Sequence, residues 1–536
     1  MKHMKWWGWG DEDKEFDLSD KPALWPYIVE NLEVDPDAAK ISHPPICLEN
    51  IRLDPPKRNE PFLAEIKSKI YTDHRERVVH SYGKSFRDLL RIRKGQIDRA
   101  PDGICYPESE QEVCDILRLA HKHNVVIIPF GGGSNIAGCL EAKGDRMILS
   151  MDMRRMDRLL EVDHPSMIAR IEAGAMGPAL EKKLNDAGMT LGHFPDSFEY
   201  SSIGGWVATR SAGMTSDKYG KIEDMVISLR LATPQGQIVT RTVPKSSNGI
   251  DVRHLCIGSE GILGVITEVT MQVHPLPAKK ECYGYLFPDF ESGVAAVYEC
   301  VTKGVAPSMT RLNDPTKTAL SFAFKTKEPF FVQLLGKLVK QYLKAKMDFT
   351  KVALLLVGYE GNQKKEAHAI YKKHGAFCLG QRPGRSFQKG KYDFPYIRDF
   401  VMDRGAIADV SETSTLWSNL LPLYYKSQKA IREAMIKVGA KPYCACHISH
   451  TYRTGASLYF TFGCKGTDLE RYLAIKHAAE DSFMQNGGTL SHHHGVGYEH
   501  MPWMEQEISS MGMTALKALK QGLDPQGIMN PGKIIP

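Results

Sequence analysis

At 536 residues, 42% hydrophobic and 25% charged, the sequence is that of a globular protein too long for one core, which predicts two or three domains. A formal net charge of only +6 and the lack of a basic, aromatic-interleaved helix exclude a dedicated nucleic-acid binder; an anionic small molecule or lipid surface suits the mild excess. Eleven scattered cysteines argue against a disulfide scaffold, and no window approaches the about 18 uncharged apolar residues of a membrane span.

Residues 1 to about 96 read as a helical lead-in with an amphipathic stretch near 62–93. Its first twenty residues have no secretory apolar core, and the C-terminus ends without a Ser-Lys-Leu address, so a cytosolic protein is expected. Trp6, Trp7 and Trp9 are expected to dock on the protein's own core, with peripheral contact to a membrane surface as the alternative. A predicted α+β domain follows at 97–277. It has a strand at 104–107, a helix at 109–124, a buried strand at 125–130, and further strands at 147–150, 168–173, 227–232, 237–243 and 264–274. Residues 278–496 predict a second α+β domain with an antiparallel sheet, including strands at 281–287, 352–359, 447–449 and 456–462. The tail, 497–536, is expected to return across the protein with a helix near 509–521.

Several loops carry the chemistry. The strand at 125–130 opens onto Pro129-Phe130-Gly131-Gly132-Gly133-Ser134-Asn135, whose unobstructed backbone N–H groups suit a pyrophosphate. It is neither a nucleoside-triphosphate loop nor a dinucleotide fingerprint, because no Gly-Lys-Ser/Thr follows and the glycine spacing is wrong. Three further polar, small-residue segments could complete a large phosphate-linked cofactor site: Pro195-Asp196-Ser197-Phe198-Glu199-Tyr200-Ser201, Ala208-Thr209-Arg210-Ser211, and Glu260-Gly261-Ile262-Leu263-Gly264-Val265-Ile266. Finally, His492-His493-His494, flanked by glycines, gathers imidazoles that titrate near neutrality and can move protons. In an extended segment His492 and His494 would share one face and His493 the other.

In order and spacing these loops resemble the flavin-binding domain of the vanillyl-alcohol oxidase/FAD-linked oxidase superfamily. Within it, the chain is similar over nearly its whole length to the alkyldihydroxyacetonephosphate synthase family. The resemblance includes Met4-Lys5-Trp6-Trp7-Gly8-Trp9-Gly10, Tyr396-Ile397-Arg398-Asp399, Ser457-Leu458-Tyr459-Phe460 and the triple histidine. It implies a two-lobed FAD-binding domain with an antiparallel-sheet cap. It also implies noncovalent FAD held by the four loops, since the glycine loop lacks a His or Cys for attachment. The implied reaction exchanges the acyl chain of acyl-dihydroxyacetonephosphate for a fatty alcohol through a flavin N5 adduct, giving an ether-lipid precursor. Tyr459 would be the proton donor and acceptor, assisted by His492, His493 and His494. Arg398 and Arg311 would bind the anionic head group, and no metal would be required. A homodimer is expected. The chain departs from the family pattern at Arg453 and at 498–503, positions expected to surround the head-group site. The alternative is an FAD-linked 2-hydroxyacid dehydrogenase of the D-lactate type. Such enzymes carry a metal-binding His-x-Gly-Asp-Gly-Asn segment where this chain has His450-Thr451-Tyr452-Arg453-Thr454-Gly455. A third reading, a noncatalytic lipid-binding flavoprotein, leaves the dense titratable cluster unexplained.

Overall fold

The computed structural model describes residues 4–40, 45–305, 307–326, 341, 343, 345–361 and 363–536. Helix Glu110–His123 begins where the Ser109 side chain accepts the Glu112 amide, and ends at Asn124 in the left-handed region. Its apolar stripe, Val113, Ile116, Leu117 and Ala120, is buried against a four-stranded sheet. The strand order there is Ile70–Tyr71, Gly103–Cys105, Ile148–Asp152, Val126–Phe130, the last three parallel. The glycine-rich turn leaves the carboxyl end of Val126–Phe130, where open α/β sheets bind ligands. The C-terminal segment covers that strand's open edge: Ile127 donates to the Ile528 carbonyl and Asn530 donates back to Ile127, both at 2.9 Å. Five antiparallel strands, Leu159–Asp163, Ile168–Glu172, Val265–Gln272, Val226–Thr233 and Gly236–Val239 in that order, form a second sheet of this lobe.

The cap is a seven-stranded antiparallel sheet. Its order is Phe377–Gly380, Glu281–Phe287, Ala353–Tyr359, Met309–Asn313, Cys444–Thr451, Gly455–Lys465, Ala406–Leu416. Along Gly455–Lys465 the period of two divides the labour. Leu458 and Phe460 are fully buried in the cap core, where truncating Phe460 to alanine would cost about 3–5 kcal/mol, and Phe462, buried likewise, also reaches the cavity. Tyr459 and Thr461, on alternate positions, line the central cavity.

The α+β class and the antiparallel cap agree with the sequence reading, but several elements differ. The stretch at 62–93 is not one helix. It is broken into Glu60–Glu65, His74–Val79 and Phe86–Arg93, each started by a side-chain cap from Asn59, Asp73 or Ser85. Trp6 and Trp9 are buried and Trp7 is partly buried, so the tryptophan cluster is spent on internal packing and not on a membrane. The C-terminal helix runs Met504–Leu523, with a break at Ser509. Strands Met309–Asn313 and Ala406–Leu416 escape the hydrophobic pattern because polar residues interrupt it, Thr310, Arg311 and Asn313 in the first and Asp409, Ser411 and Glu412 in the second. No helix among the described residues is long and apolar enough to cross a membrane.

Candidate active site

The glycine loop and the 195–202 loop interlock. A Cβ on Gly132 would lie 1.8 Å from the Tyr200 carbonyl oxygen, so that position admits no side chain, and one on Gly131 would lie 2.3 Å from Ser202 Oγ, which would have to swing away. The backbone N–H groups of Gly132, Gly133 and Ser134 have no hydrogen-bond partner among the described residues, although all three line a cavity of about 410 Å³. Ser259 Oγ on the same wall is buried and likewise unpartnered. Orphaned donors on a concave wall are what an anionic pyrophosphate would satisfy, so these residues fit FAD. Cys139, four residues past the loop, also lines the cavity, but its thiol donates to Glu260 at 3.2 Å. Burial and that carboxylate raise the thiol well above its ordinary value, which disfavours a nucleophilic thiolate.

Two buried carboxylates, one from each lobe, hold the triple-histidine loop. Glu412 of the cap strand Ala406–Leu416 accepts the Ser491 hydroxyl and the backbone N–H groups of His492, His493 and His494, at 2.9–3.1 Å. Glu260 of the flavin lobe accepts the amides of Val496 at 2.6 Å and Gly497 at 2.7 Å. Lys221 adds a bond to the His492 carbonyl at 2.6 Å. Converging on one carboxylate curls the loop, and this overturns the alternation expected of an extended segment. His493 and His494 line the cavity together, whereas His492 turns away and meets the Tyr452 hydroxyl through Nε2 at 2.6 Å.

Register places the other groups. Glu412 lies opposite Tyr459, Tyr459 opposite His447, and His447 opposite Asn313, one row across four strands. The Tyr459 ring contacts His447, His493 and His494 at centroid distances of 4.7, 6.0 and 5.3 Å. His450 enters through a bulge between Ser449 and Thr451, with φ of 53°, and faces His492 and His493 at 5.2 Å each. Arg311 and Lys317 stand on the same wall, Lys317 donating to Thr461 Oγ1 at 2.8 Å. Leu24, Ile28, Leu320, Phe324, Val401 and Phe462 give the cavity an apolar branch.

The electrostatics assign protonation states. Burial, then the charges of Asp196, Glu412 and Asp409, raise Tyr459 well above the usual phenol value, so it rests protonated and is a donor before it is a base. Burial and neighbouring positive charge lower His447, His450, His492 and His494 well below the ordinary imidazole value, which leaves them neutral and able to accept protons. Burial first, then Arg311, lowers Lys317 to about 7. Burial also lowers Arg311, against the opposing charge of Asp196.

Of the sequence-predicted residues, Pro129 to Asn135, Pro195, Asp196, Ser197, Ser201, Ala208, Thr209, Ser211, Glu260, Gly261, Gly264, Val265 and Ile266 line the cavity. So do Arg311, Arg398, Tyr459, His493 and His494. Phe198, Glu199, Tyr200, Arg210, Ile262, Leu263 and His492 do not. Ile262 and Leu263 are core, Phe198 stacks on Trp206, and Arg210 faces Glu223 at 3.7 Å. Arg398 gives Nη1 to the Lys84 carbonyl at 2.6 Å, while its buried Nε and Nη2 have no hydrogen-bond partner. The departures from the family pattern fall outside the cavity: Arg453 is exposed, and Glu499 and His500 are buried behind the loop. His450, His492 and His493 form the one cluster of metal-ligating side chains among the described residues, their ligand atoms within 4.8 Å of one another. His492, however, already spends both ring nitrogens on His493 and Tyr452. Glu412 and His447 were missed because each is isolated in sequence and enters through strand pairing, Lys317 because it comes from the first turn of a helix, and His450 stood only as the counterpart of a dehydrogenase ligand.

Residues 101–242 match the model of an FAD binding domain, and residues 276–534 match that of the FAD linked oxidases, C-terminal domain. The chain is 41% identical to alkyldihydroxyacetonephosphate synthase of Dictyostelium discoideum, over all of this chain and 94% of that one. It is 39% identical to the Trypanosoma brucei brucei enzyme of the same name, over 90% and 82%. The chain belongs to the alkyldihydroxyacetonephosphate synthase family. A solved structure of an alkyldihydroxyacetonephosphate synthase superposes on this synthase-family chain with a TM-score of 0.86, covering 99% of this chain and 98% of the other at 38% identity. The D-lactate dehydrogenase [cytochrome] of Arabidopsis thaliana stands further off, at 27% identity over 88% and 78%. p-Cresol methylhydroxylase, at 14% identity and a TM-score of 0.66, shares the fold alone. The family's cofactor is FAD, and the two lobes around the glycine loop are its binding domain and cap.

Proposed function

We propose that this protein exchanges the acyl chain of acyl-dihydroxyacetonephosphate for a fatty alcohol, giving an alkyl ether. The observation that carries the reading is a single cavity that joins the FAD cradle, the Arg311–Lys317 pair and an apolar branch around Tyr459 and the histidines. When bound, FAD supplies the nucleophile at the substrate carbon. Arg311 and Lys317 bind the phosphate, with Arg398 as a further donor through Nε and Nη2, which make no hydrogen bond although Nη2 faces Asp399 Oδ1 at 3.5 Å. The apolar branch takes the alkyl chain, worth about 0.8 kcal/mol per buried methylene. An imidazole, that of His493 or the neutral one of His494, accepts the proton leaving the carbon and returns it to the ether product, while protonated Tyr459 donates to the departing oxygen and is recharged by the proton of the incoming alcohol. Glu412 acts at one remove, holding the loop that aims both imidazoles. The exchange is redox-neutral overall and releases one proton, because the departing fatty acid ionises at neutral pH.

The same reading includes noncovalent FAD, since Cys139 is held as a thiol, and a homodimer, which light scattering would measure. The test of function is incubation with acyl-dihydroxyacetonephosphate and labelled fatty alcohol. Label in an ether product with release of one fatty acid supports it. Flavin bleaching by a 2-hydroxyacid, without ether formation, would move the assignment to the dehydrogenase class.

A further inference from the structure

Holding two like charges side by side away from water is costly unless something attracts them. Among the described residues neither Arg311 nor Lys317 makes an ion pair with a carboxylate. What each has instead is an aromatic face. The Arg311 guanidinium lies over the Phe387 and Phe394 rings, 5.4 and 5.3 Å from their centroids, and Lys317 Nζ lies over Phe394 at 5.2 Å. All four residues line the cavity. Phe394 opens the helix Phe394–Met402, and at helical spacing Phe394, Ile397, Arg398 and Val401 all line the cavity. One helix face thus carries the ring, the Arg398 fork and, at Val401, part of the apolar branch. Phe324 of that branch meets the Phe394 ring at 6.0 Å.

We propose that Phe394 is a positioning residue of the phosphate site, its ring holding Arg311 and Lys317 side by side while leaving their N–H groups free for a phosphate monoester; the proposal rests on the assignment of that pair to the substrate phosphate. A carboxylate in the same place would neutralise the pair and compete with the ligand for the same donors. A ring attracts a cation through its quadrupole and offers no oxygen, so the charge stays available. Phe387 does the same for Arg311 alone. The other groups around Lys317 come from five elements. Arg311 on strand Met309–Asn313 opposes its charge, while Asp314, which caps its own helix, and Asp196 in the 195–202 loop support it. Cys446 and His447 face it from strand Cys444–Thr451, the thiol held protonated and the imidazole neutral by burial. Thr461 on strand Gly455–Lys465 accepts from its Nζ at 2.8 Å.

The test replaces Phe394, in the FAD-loaded full chain, by mono-, di- and trifluorophenylalanine, which keep the ring's shape while draining negative charge from its face. FAD content, melting temperature and kcat should stay near wild type. Losing an attraction of about threefold in an equilibrium lowers the pH at which Lys317 gives up its proton by about half a unit. For the trifluoro ring KM should therefore rise about threefold at about pH 8 and less than about 1.5-fold at about pH 6, with the other rings in between. The phosphate's own titration is common to every protein in the series and cancels. A KM that does not change, or a rise that does not grade with fluorine content, overturns the proposal and reduces Phe394 to packing. Should the fluorinated chains fold poorly, Phe394→Leu should show the same pH-dependent rise and Phe394→Tyr, which keeps the aromatic face, should not. Inorganic phosphate titrated by calorimetry into the same FAD-loaded proteins separates this from the functional reading: its affinity at about pH 8 should fall in the same graded order. Unchanged affinity, or no binding by the wild type, would sink the proposal even if ether formation stands. Graded loss in a protein that makes no ether would keep the role of the ring and remove the reaction assigned to the site.

Discussion

Tyr459→Phe separates chemistry from architecture more cleanly than any other change at this site. The ring stays, and with it the contacts to His447, His493 and His494 at 4.7–6.0 Å. The Tyr459 hydroxyl makes no hydrogen bond to the described residues, so its removal strands no buried partner, and the folding cost should be below about 1 kcal/mol. In a chain of this size that is a shift in melting temperature of no more than about 2 °C. If the hydroxyl donates to the departing oxygen, turnover should fall about 10²- to 10⁴-fold with FAD content unchanged. The assay is ether formation from labelled alcohol, run beside thermal melting and flavin absorbance. Near-normal turnover would reduce Tyr459 to packing and leave proton transfer to the histidines alone. A large loss of stability would show that the hydroxyl has a structural role the geometry does not reveal.

Arg398→Lys should raise KM about tenfold with little change in kcat, since a point charge cannot reproduce a planar fork. Lys317 provides a pH signature. Its folded value of about 7 lies below the ordinary 10.5 of a lysine, so between those limits the folded state is neutral while the unfolded state is protonated, and stability rises with pH across the window. Phosphate binding needs the protonated form, so KM should rise above pH 7, and Lys317→Gln should flatten that rise in initial-rate measurements. Glu412→Gln should lower turnover by at least about tenfold while FAD stays bound, because a donor amide placed among N–H groups disrupts the loop that aims the histidines. FAD should leave the polypeptide on acid denaturation; flavin retained on the precipitate would contradict the thiol state assigned to Cys139. Chelators should leave activity unchanged, and metal-dependent recovery after chelation would place an ion among His450, His492 and His493.

The flavin lobe was readable because its chemistry is local. A strand, a glycine turn and short polar loops follow one another in sequence, and backbone donors need no distant partner. Reading whole segments took in too much, since Ile262 and Leu263 alternate into the core beside Gly261 and Gly264. The triple histidine was conspicuous, but its geometry was not, because Glu412 lies about 80 residues away and acts on backbone N–H groups that carry no side-chain signature. His450 owes its place to a bulge, and Lys317 to the first turn of a helix capped by Asp314. Both depend on pairing that one sequence does not reveal. The reach of the head-group site toward 498–503 was misjudged for the opposite reason: nearness in sequence to the histidines did not carry over to the cavity.

The most direct test of the central claim is the fate of the label when purified protein with bound FAD meets acyl-dihydroxyacetonephosphate and a radiolabelled fatty alcohol. The account predicts label in an alkyl ether, one fatty acid freed per ether formed, and no net flavin reduction. Stoichiometric flavin reduction, or fatty acid released without label entering the ether, would contradict it.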